Sequence, residues 1–293
     1  MAKIGIVILN YKTYKDTERL VNEITHSESK HDIFIQVVDN NSPNESYDYL
    51  VANLKQPNVG IFFNDKNSGF AKGNNVGLNM LQSFSPDYAL ILNNDIRFEL
   101  SVLDKLIETY KSIGDCGAIA PIQKLPSGEN ERFHSLLQPT FKMDIFSYTQ
   151  LFLRRKRWWK YSENTPYKGV QEAPIIPGCF VFIDYNLFAE IGFFDESTFL
   201  FCEERFLAKK LYDIGKKNYI LLDCYYIHDH SKTIKQEVSS LNQKRLLRDG
   251  QIAYTKKYRK HPILKTFFIY VMWQYYKVVF YMKLLVKKQL KKC

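Results

Sequence analysis

Four short apolar runs, each cut off by a cluster of amides, carboxylates and hydroxyls, constrain this chain more than any other feature. They are IGIVIL (4–9), FIQVVD (34–39), VGIFFN (59–64) and YALILN (88–93). Each is rich in Ile, Val, Leu or Phe and short enough to be a buried strand. Between and after them the apolar spacing changes to a helical period. In DTERLVNEI, Leu20, Val21 and Ile24 fall on one face. In SVLDKLIETYKSI, Val102, Leu103, Leu106, Ile107, Tyr110 and Ile113 do the same. Ser101, with Asp104 three residues on, predicts an N-terminal cap for that helix, and Gly114 its stop. Alternation of strand and helix predicts an α/β fold, a mostly parallel central sheet with helices on both faces.

The second half is less regular. CGAIAP (116–121), GCFVFI (178–183) and NYILLD (218–223) predict further strands. DYNLFAEIG and EERFLAKKLYDIG predict two short helices closed by Gly192 and Gly215. Residues 124–176 have weak periodicity and prolines at 126, 139, 166 and 174, which predicts a long, partly helical excursion carrying variable substrate contacts. After 223 the chain reads as helical and basic to its end.

With 293 residues and 45% hydrophobic content there is ample material for a substantial core. The net charge of +10 favours polyanionic partners: phosphorylated substrates, anionic lipid or nucleic acid. Nothing in the chain resembles a nucleic-acid module, so nucleic acid is not expected. Much of the positive excess lies in RRKRWWK (154–160) and in residues 265–293. Cys116, Cys179, Cys202, Cys224 and Cys293 are scattered, with no C-x-x-C pair, so neither a metal cluster nor a disulfide framework is expected and a reducing compartment fits best. MAKIGIVILNY enters a strand without a secretory signal pattern, so the expected location is cytoplasmic.

In an open parallel sheet, ligands bind at the carboxyl ends of the strands. Here those ends carry Asn10-Tyr11-Lys12, Asp39-Asn40-Asn41-Ser42, NDKNSGFAKGNN (64–75) and Asn93-Asn94-Asp95. Any one of them is ordinary turn chemistry; four at one edge predict a site. In NSGFAKGNN, Gly69 and Gly73 remove side chains near the start of a helix whose free N–H groups can face an anion. The spacing is neither that of a P-loop nor of a dinucleotide fingerprint. Asn93-Asn94-Asp95 can hold a hard divalent cation that takes its remaining ligands from water and a diphosphate; a strand-end Asx turn is the other reading.

IVILNY, VVDNNS, NSGFAKGNN, LILNND, PGCFVFI, IGFFDESTFLFCEE and YIHDHS follow one another in an order and spacing that resemble glycosyltransferase family 2, over roughly residues 3–260. Within it, the chain is most similar to the rhamnosyltransferase-like branch that builds bacterial surface polysaccharide. The resemblance implies a GT-A (Rossmann-like) fold and an inverting, metal-dependent transfer from a nucleoside-diphosphate sugar to a saccharide hydroxyl. It places Tyr11 and Asp39 at the nucleoside base, with Asn10, Asn41 and Asn94 as their strand-end neighbours. Asn67, Gly69, Lys72 and Asn74 match the segment lining nucleotide and donor sugar. Asn93 and Asp95 take the first and last positions of the D-x-D metal motif, an amide replacing the first carboxylate, with Mg²⁺ or Mn²⁺ as the implied cofactor. Glu203-Glu204 stands where the family has Glu-Asp, whose second member is the general base; this makes Glu204 the base and puts Glu203, with Gly178 of PGCFVFI, on the acceptor side. His228 matches a histidine that completes the metal site in some relatives, and His230 is its rival.

The chemistry is coherent without the family. A carboxylate within reach of an acceptor hydroxyl suffices as base once burial and neighbours tune its pKa. Glu203 and Glu204 equally suit a helix N-terminus as dipole-compensating residues, and Asp195 is a second candidate base. Two rival functions share parts of the pattern. A nucleotidyltransferase would need a Gly-rich, Lys/Arg-bearing loop after the first strand, where this chain has NYKTYKDTE. A non-catalytic membrane-associated nucleotide-sugar-binding protein would need no acidic pair.

ILKTFFIYVMWQYYKVVFYM (263–282) is apolar and aromatic but broken by Lys265, Gln274 and Lys277, leaving no stretch long enough to span a bilayer comfortably. Trp, Tyr and Lys favour the lipid–water interface, and the closing KKQLKKC suits anionic head groups. The expectation is a catalytic domain over 1–260 (nucleotide-sugar half 1–100, acceptor half 101–260) and a helical tail over 261–293. The tail would lie on the cytoplasmic leaflet and serve a lipid-linked acceptor; packing on the catalytic domain, or a homodimer contact, is the other reading. RRKRWWK is either a second membrane-facing patch or a clamp on a lipid diphosphate.

Overall fold

The computed structural model describes residues 1–129, 139–149, 168–229 and 240–290. The first part runs β1 (Lys3–Asn10), α1 (Tyr14–Thr25), β2 (Asp32–Asp39), α2 (Ser46–Asn53), β3 (Val59–Phe63), α3 (Gly69–Met80), a 3₁₀ turn (Leu81–Phe84) and β4 (Tyr88–Asn93). Then follow β5 (Ile96–Arg97), α4 (Val102–Ser112), β6 (Cys116–Lys124), α5 (Phe141–Phe146), β7 (Val170–Glu172), β8 (Phe180–Asp184) and α6 (Tyr185–Glu190). Last come α7 (Glu203–Asp213), β9 (Lys217–His228), α8 (Ser240–Tyr258) and α9 (Pro262–Leu290).

All nine strands join one sheet in the order β3-β2-β1-β4-β8-β6-β9-β5, with β7 on β9. β1 pairs in parallel with β2 and β4, and β2 with β3, so the carboxyl ends of these four strands share one edge. Asn10 lies level with Asp39, and Leu9 with Asn93. Beyond β4 the sheet is mixed. β8 runs antiparallel between β4 and β6, and β6 pairs in parallel with β9. That insertion of a late strand beside β4 is what brings the second half of the chain to the strand ends of the first.

Both faces of the sheet are covered. Side chains alternate along a strand, yet Ile4, Ile6 and Ile8 are as completely buried as Val7 between them. One face carries α3, and its approach is close because Gly73 and Gly77, four residues apart, face the sheet. A Cβ on Gly73 would come within 2.6 Å of Leu9, and one on Gly77 within 2.6 Å of Val7. Gly73 is therefore a helix–sheet packing residue; its missing side chain makes room for the sheet, not for an anion as the sequence reading had it. α4 buries Val102, Leu103, Leu106 and Ile107, the face its periodicity predicts. Ser101 does not cap it through its side chain, because its own backbone is already helical (φ −56°, ψ −20°). Asp184 does cap α6, accepting from the Leu187 N–H at 2.8 Å. Gly192 and Gly215 sit at positive φ (71° and 75°) just beyond α6 and α7, the stop that glycine makes inexpensive.

The last strand runs further than expected. β9 continues past Asp223 through the buried Cys224, Tyr226 and His228, so the chain turns helical only after His228. α8 and the first half of α9 then pack with α5. Tyr148, Ile252, Ile269 and Trp273 form a small second core, separate from the main one. Beneath it lies a buried ion triad in which Asp144 takes Arg205 on one oxygen and Arg259 on the other, each at 2.6 Å. It ties α5, α7 and the end of α8 to one carboxylate. RRKRWWK, His230 and the closing residues 291–293 lie outside the described residues.

Candidate active site

The strand-end polar residues form one hydrogen-bonded web. Asn10, fully buried at the end of β1, donates to Asp39 Oδ2 at 2.6 Å and accepts from the Thr17 hydroxyl at 2.8 Å. Asp39, also fully buried, accepts from the Ser42 N–H (2.8 Å) and hydroxyl (2.9 Å). Asn94 donates to the hydroxyls of Thr13 (2.7 Å) and Thr17 (2.9 Å). Asn10, Asp39 and Asn94 thus lock the loops after β1, β2 and β4 to each other.

The next link is Asn40, which the sequence sets in a strand-end cluster without a role of its own. Its amide donates to Asn67 Oδ1 and the Gly69 carbonyl, both at 3.1 Å, and its oxygen accepts from Asn64 (3.0 Å) and the Ser68 N–H (3.2 Å). One buried amide therefore shapes the whole β3–α3 loop, closed by the Gly69 N–H on Asn67 Oδ1 at 3.1 Å. Asn41, in the left-handed region at φ 61°, donates to the Asp65 carbonyl. Asn74 bonds the Phe70 carbonyl at 2.9 Å, while its buried Oδ1 accepts from none of the described residues. Tyr11 stands half-buried at the rim with the Lys12 ammonium 5.3 Å from its ring centre, and the half-exposed Lys72 lies 4.0 Å from Glu196.

Asp95 and His228 meet where β5 pairs with β9. Carboxylate Oδ1 and imidazole Nε2 lie 3.1 Å apart, both side chains about nine-tenths buried. Burial opposes the imidazolium, but the Cys179 sulfur and the Asp95 carboxylate beside it outweigh burial and push His228 up to about 11. On its far side His228 Nδ1 meets the Gln123 amide at 3.2 Å, and Gln123 accepts from the Tyr226 hydroxyl at 3.1 Å. Asn93 N–H donates to the Cys179 carbonyl at 3.0 Å, which sets Gly178 beside the end of β4, with open space where a Cβ would be. Once the cation displaces the imidazole proton, an oxygen donor next to this nitrogen fits a divalent cation that draws its other ligands from a diphosphate and water. Among the described residues, no cluster of three or more His, Cys, Asp or Glu forms an all-protein cage.

Glu203 and Glu204 open α7 after a strained approach. Phe201 and Cys202 both hold positive φ (73° and 76°), and Phe193 does so at 52°. Non-glycine residues stay in that region only where the surroundings fix them. Here Asn75 clamps Phe194, donating to its carbonyl at 2.9 Å and accepting its N–H at 3.1 Å. The Phe70 N–H donates to the Phe199 carbonyl at 2.8 Å, seating the loop on the start of α3. Gly69 permits this, for at φ 82° its Cβ would lie 2.2 Å from that carbonyl oxygen. Lys257 pairs with Asp195, which also accepts from the Ser197 N–H at 2.9 Å, so Asp195 acts as a loop fastener. Glu203 is buried, and burial together with the charge of Glu204 pushes it up to about 8. Glu204 is partly exposed; burial raises its pKa, and Arg205 and a hydrogen bond from its own backbone N–H oppose the rise.

A sheet whose parallel strand ends carry this web, joined by a late antiparallel strand to a carboxylate pair, is the GT-A glycosyltransferase fold. The chain resembles GalNAc-T7 solved with UDP, GalNAc and Mn²⁺ only in fold (14% identity, TM-score 0.58), covering 87% of its own length and 48% of that chain. It is similar to the mannosyltransferase PcManGT of Pyrobaculum calidifontis, solved with GDP-Man and Mn²⁺ (13% identity, TM-score 0.59, covering 93% of this chain and 69% of that one). TarS 1–349 of S. aureus, solved with UDP-GlcNAc, is a third likeness (13% identity, TM-score 0.56, 91% and 70%). No curated protein matches the sequence. The sequence profile of glycosyl transferase family 2 matches residues 5–192, and the chain belongs to that family.

Proposed function

We propose that the protein is an inverting glycosyltransferase that moves a sugar, with rhamnose the first candidate, from a nucleoside diphosphate to a saccharide hydroxyl in cell-surface polysaccharide synthesis. The observation that carries this reading is the Phe70–Phe199 bond at 2.8 Å. It seats the loop leading into Glu203-Glu204 on the helix that begins at Gly69, so the loop that carries the candidate base is bonded to the candidate donor segment.

Asp95 and His228 are the residues that would hold a divalent cation, whose contribution when bound is to neutralise charge on the diphosphate. The chain's own residues account for the rest. The web through Asn10, Asp39, Asn40 and Asn94 holds the strand-end loops in one shape, leaving Tyr11, Asn67 and Asn93 at its surface for the nucleotide. Glu204 accepts the proton of the acceptor hydroxyl. That oxygen bonds to the anomeric carbon as the bond from this carbon to the diphosphate oxygen breaks, and the configuration inverts. Burial raises the pKa of both Glu203 and Glu204, and the charge of Glu204 raises Glu203 further, so the adjacent pair resists carrying two negative charges.

Nucleotide release from UDP-, dTDP- and GDP-sugars, with and without Mg²⁺ or Mn²⁺, tests the reading. Release from one nucleotide class, lost in Glu204→Gln while donor binding persists, is the expected result. Failure to bind or turn over any of them would leave the fold without this activity.

A further inference from the structure

The outer face of α9 has no protein partner among the described residues, and its pattern is regular. Leu264, Phe267, Val271, Val278, Met282 and Leu285 are all exposed, Phe267 by 60% and Leu285 by 63%. At 3.6 residues per turn they fall within an arc of about 60°. Gln274 is a polar residue about 20° outside that arc. Ile269 and Trp273 point the opposite way, into the small core with Tyr148 and Ile252. Arg248 of α8 lies 5.0 Å over the Trp273 ring and 5.6 Å over Tyr270, fastening the helix further. The apolar arc is therefore presented outward by a helix whose other side is already used.

Lys265 and Lys283 lie about 100° beyond this arc on one side and Lys277 about 80° beyond it on the other, on the flanks of the helix. Residues 262–293 hold seven lysines and neither Asp nor Glu. A second copy would set these lysines against their own kind, whereas an anionic lipid surface complements them. No helix among the described residues is long and apolar enough to cross a membrane. An apolar stripe bordered by lysines, with aromatic residues along it, has the form of a helix lying in the interface plane. We infer that α9 docks the protein on an anionic bilayer, its arc of Leu264, Phe267, Val271, Val278, Met282 and Leu285 entering the acyl boundary and its lysines meeting the phosphates. The inference stands apart from the donor chemistry, but it gives that chemistry a place. Arg259, three residues before α9, shares Asp144 with Arg205, the neighbour of Glu204, so the docked helix and the candidate base are fixed to one buried carboxylate.

Flotation of the full chain with phosphatidylcholine vesicles, with and without phosphatidylglycerol, tests it. Binding is expected to vesicles containing phosphatidylglycerol and to fall about fivefold for each lysine removed in Lys277→Ser and Lys283→Ser. Phe267→Glu with Leu285→Glu should abolish it while leaving the melting temperature and nucleotide release unchanged, since both residues are exposed and far from the site in sequence. Equal binding to neutral and anionic vesicles, indifferent to the lysines, would overturn the inference. So would no vesicle binding together with a dimer in sedimentation that Phe267→Glu and Leu285→Glu dissociate. Nucleotide release on the same samples separates the two readings: vesicle binding without release counts against the enzyme and leaves the docking surface intact.

Discussion

Replacing Glu203 by Gln should change how stability depends on pH. Glu203 is only 5% exposed, its Oε1 accepts no hydrogen bond from the described residues, and its neighbour Glu204 adds a second negative charge. Burial and that charge raise its pKa from an ordinary 4.5 to about 8. Between those values the folded state keeps a proton that the unfolded state has lost. The folded state then binds more protons, so stability falls as pH rises through this window and stops falling above the folded pKa. One proton corresponds to about 1.4 kcal/mol per pH unit, so two units, from pH 5 to pH 7, remove about 3 kcal/mol. Gln cannot titrate and removes this slope. A poorer hydrogen-bond fit of the new amide would shift the whole curve without tilting it, so the slope carries the information. Urea denaturation of both proteins across this range should show Glu203→Gln gaining on the wild type by about 3 kcal/mol over those two units. Parallel stability curves would refute the buried, protonated state of Glu203.

Other substitutions test neighbouring steps. Glu204→Gln should lower transfer by about 10²–10⁴-fold with donor affinity nearly unchanged, measured by nucleotide release and calorimetry. Gly69→Ala would drive a Cβ to 2.2 Å from the Phe199 carbonyl oxygen at a φ of 82°, and should cost about 2 kcal/mol or more by denaturation while weakening donor binding. Asp144→Ala would strand Arg205 and Arg259 beside an emptied buried position and should destabilise by about 3–5 kcal/mol, read from chemical denaturation.

The fold was legible where a local pattern decides the outcome. The runs 4–9, 34–39 and 88–93 became β1, β2 and β4 because a strand buried on both faces must be apolar throughout. The amphipathic stretch after Ser101 became α4 with the predicted face inward. Other features depend on partners that no local window contains. β9 extends to His228 because β6 and β5 both pair with it, and β8 lies beside β4 through a connection that crosses residues outside the described set. Ser101 looked like a cap by spacing, but its own backbone had already joined the helix.

The site divides along the same line. Polar residues at a strand end announce that something is bound there, but the sequence does not say whether that partner is a ligand or the next loop. Asn10, Asp39 and Asn94 turned out to be buried and bonded to one another, and Asn40, indistinguishable from Asn41 in the sequence, holds four groups of the β3–α3 loop. What separates the two asparagines is the register of β2. Asp39 ends the strand level with Asn10, Asn40 is turned under α3 beside Gly73, and Asn41 is released to the rim at positive φ. Glu203 and Glu204 divide by the same geometry: at the first turn of α7 successive residues point about 100° apart, so one carboxyl enters the core and takes a proton while the other stays partly in solvent. Two adjacent identical residues thereby acquire different exposure from the helix rotation alone, while burial raises the pKa of both.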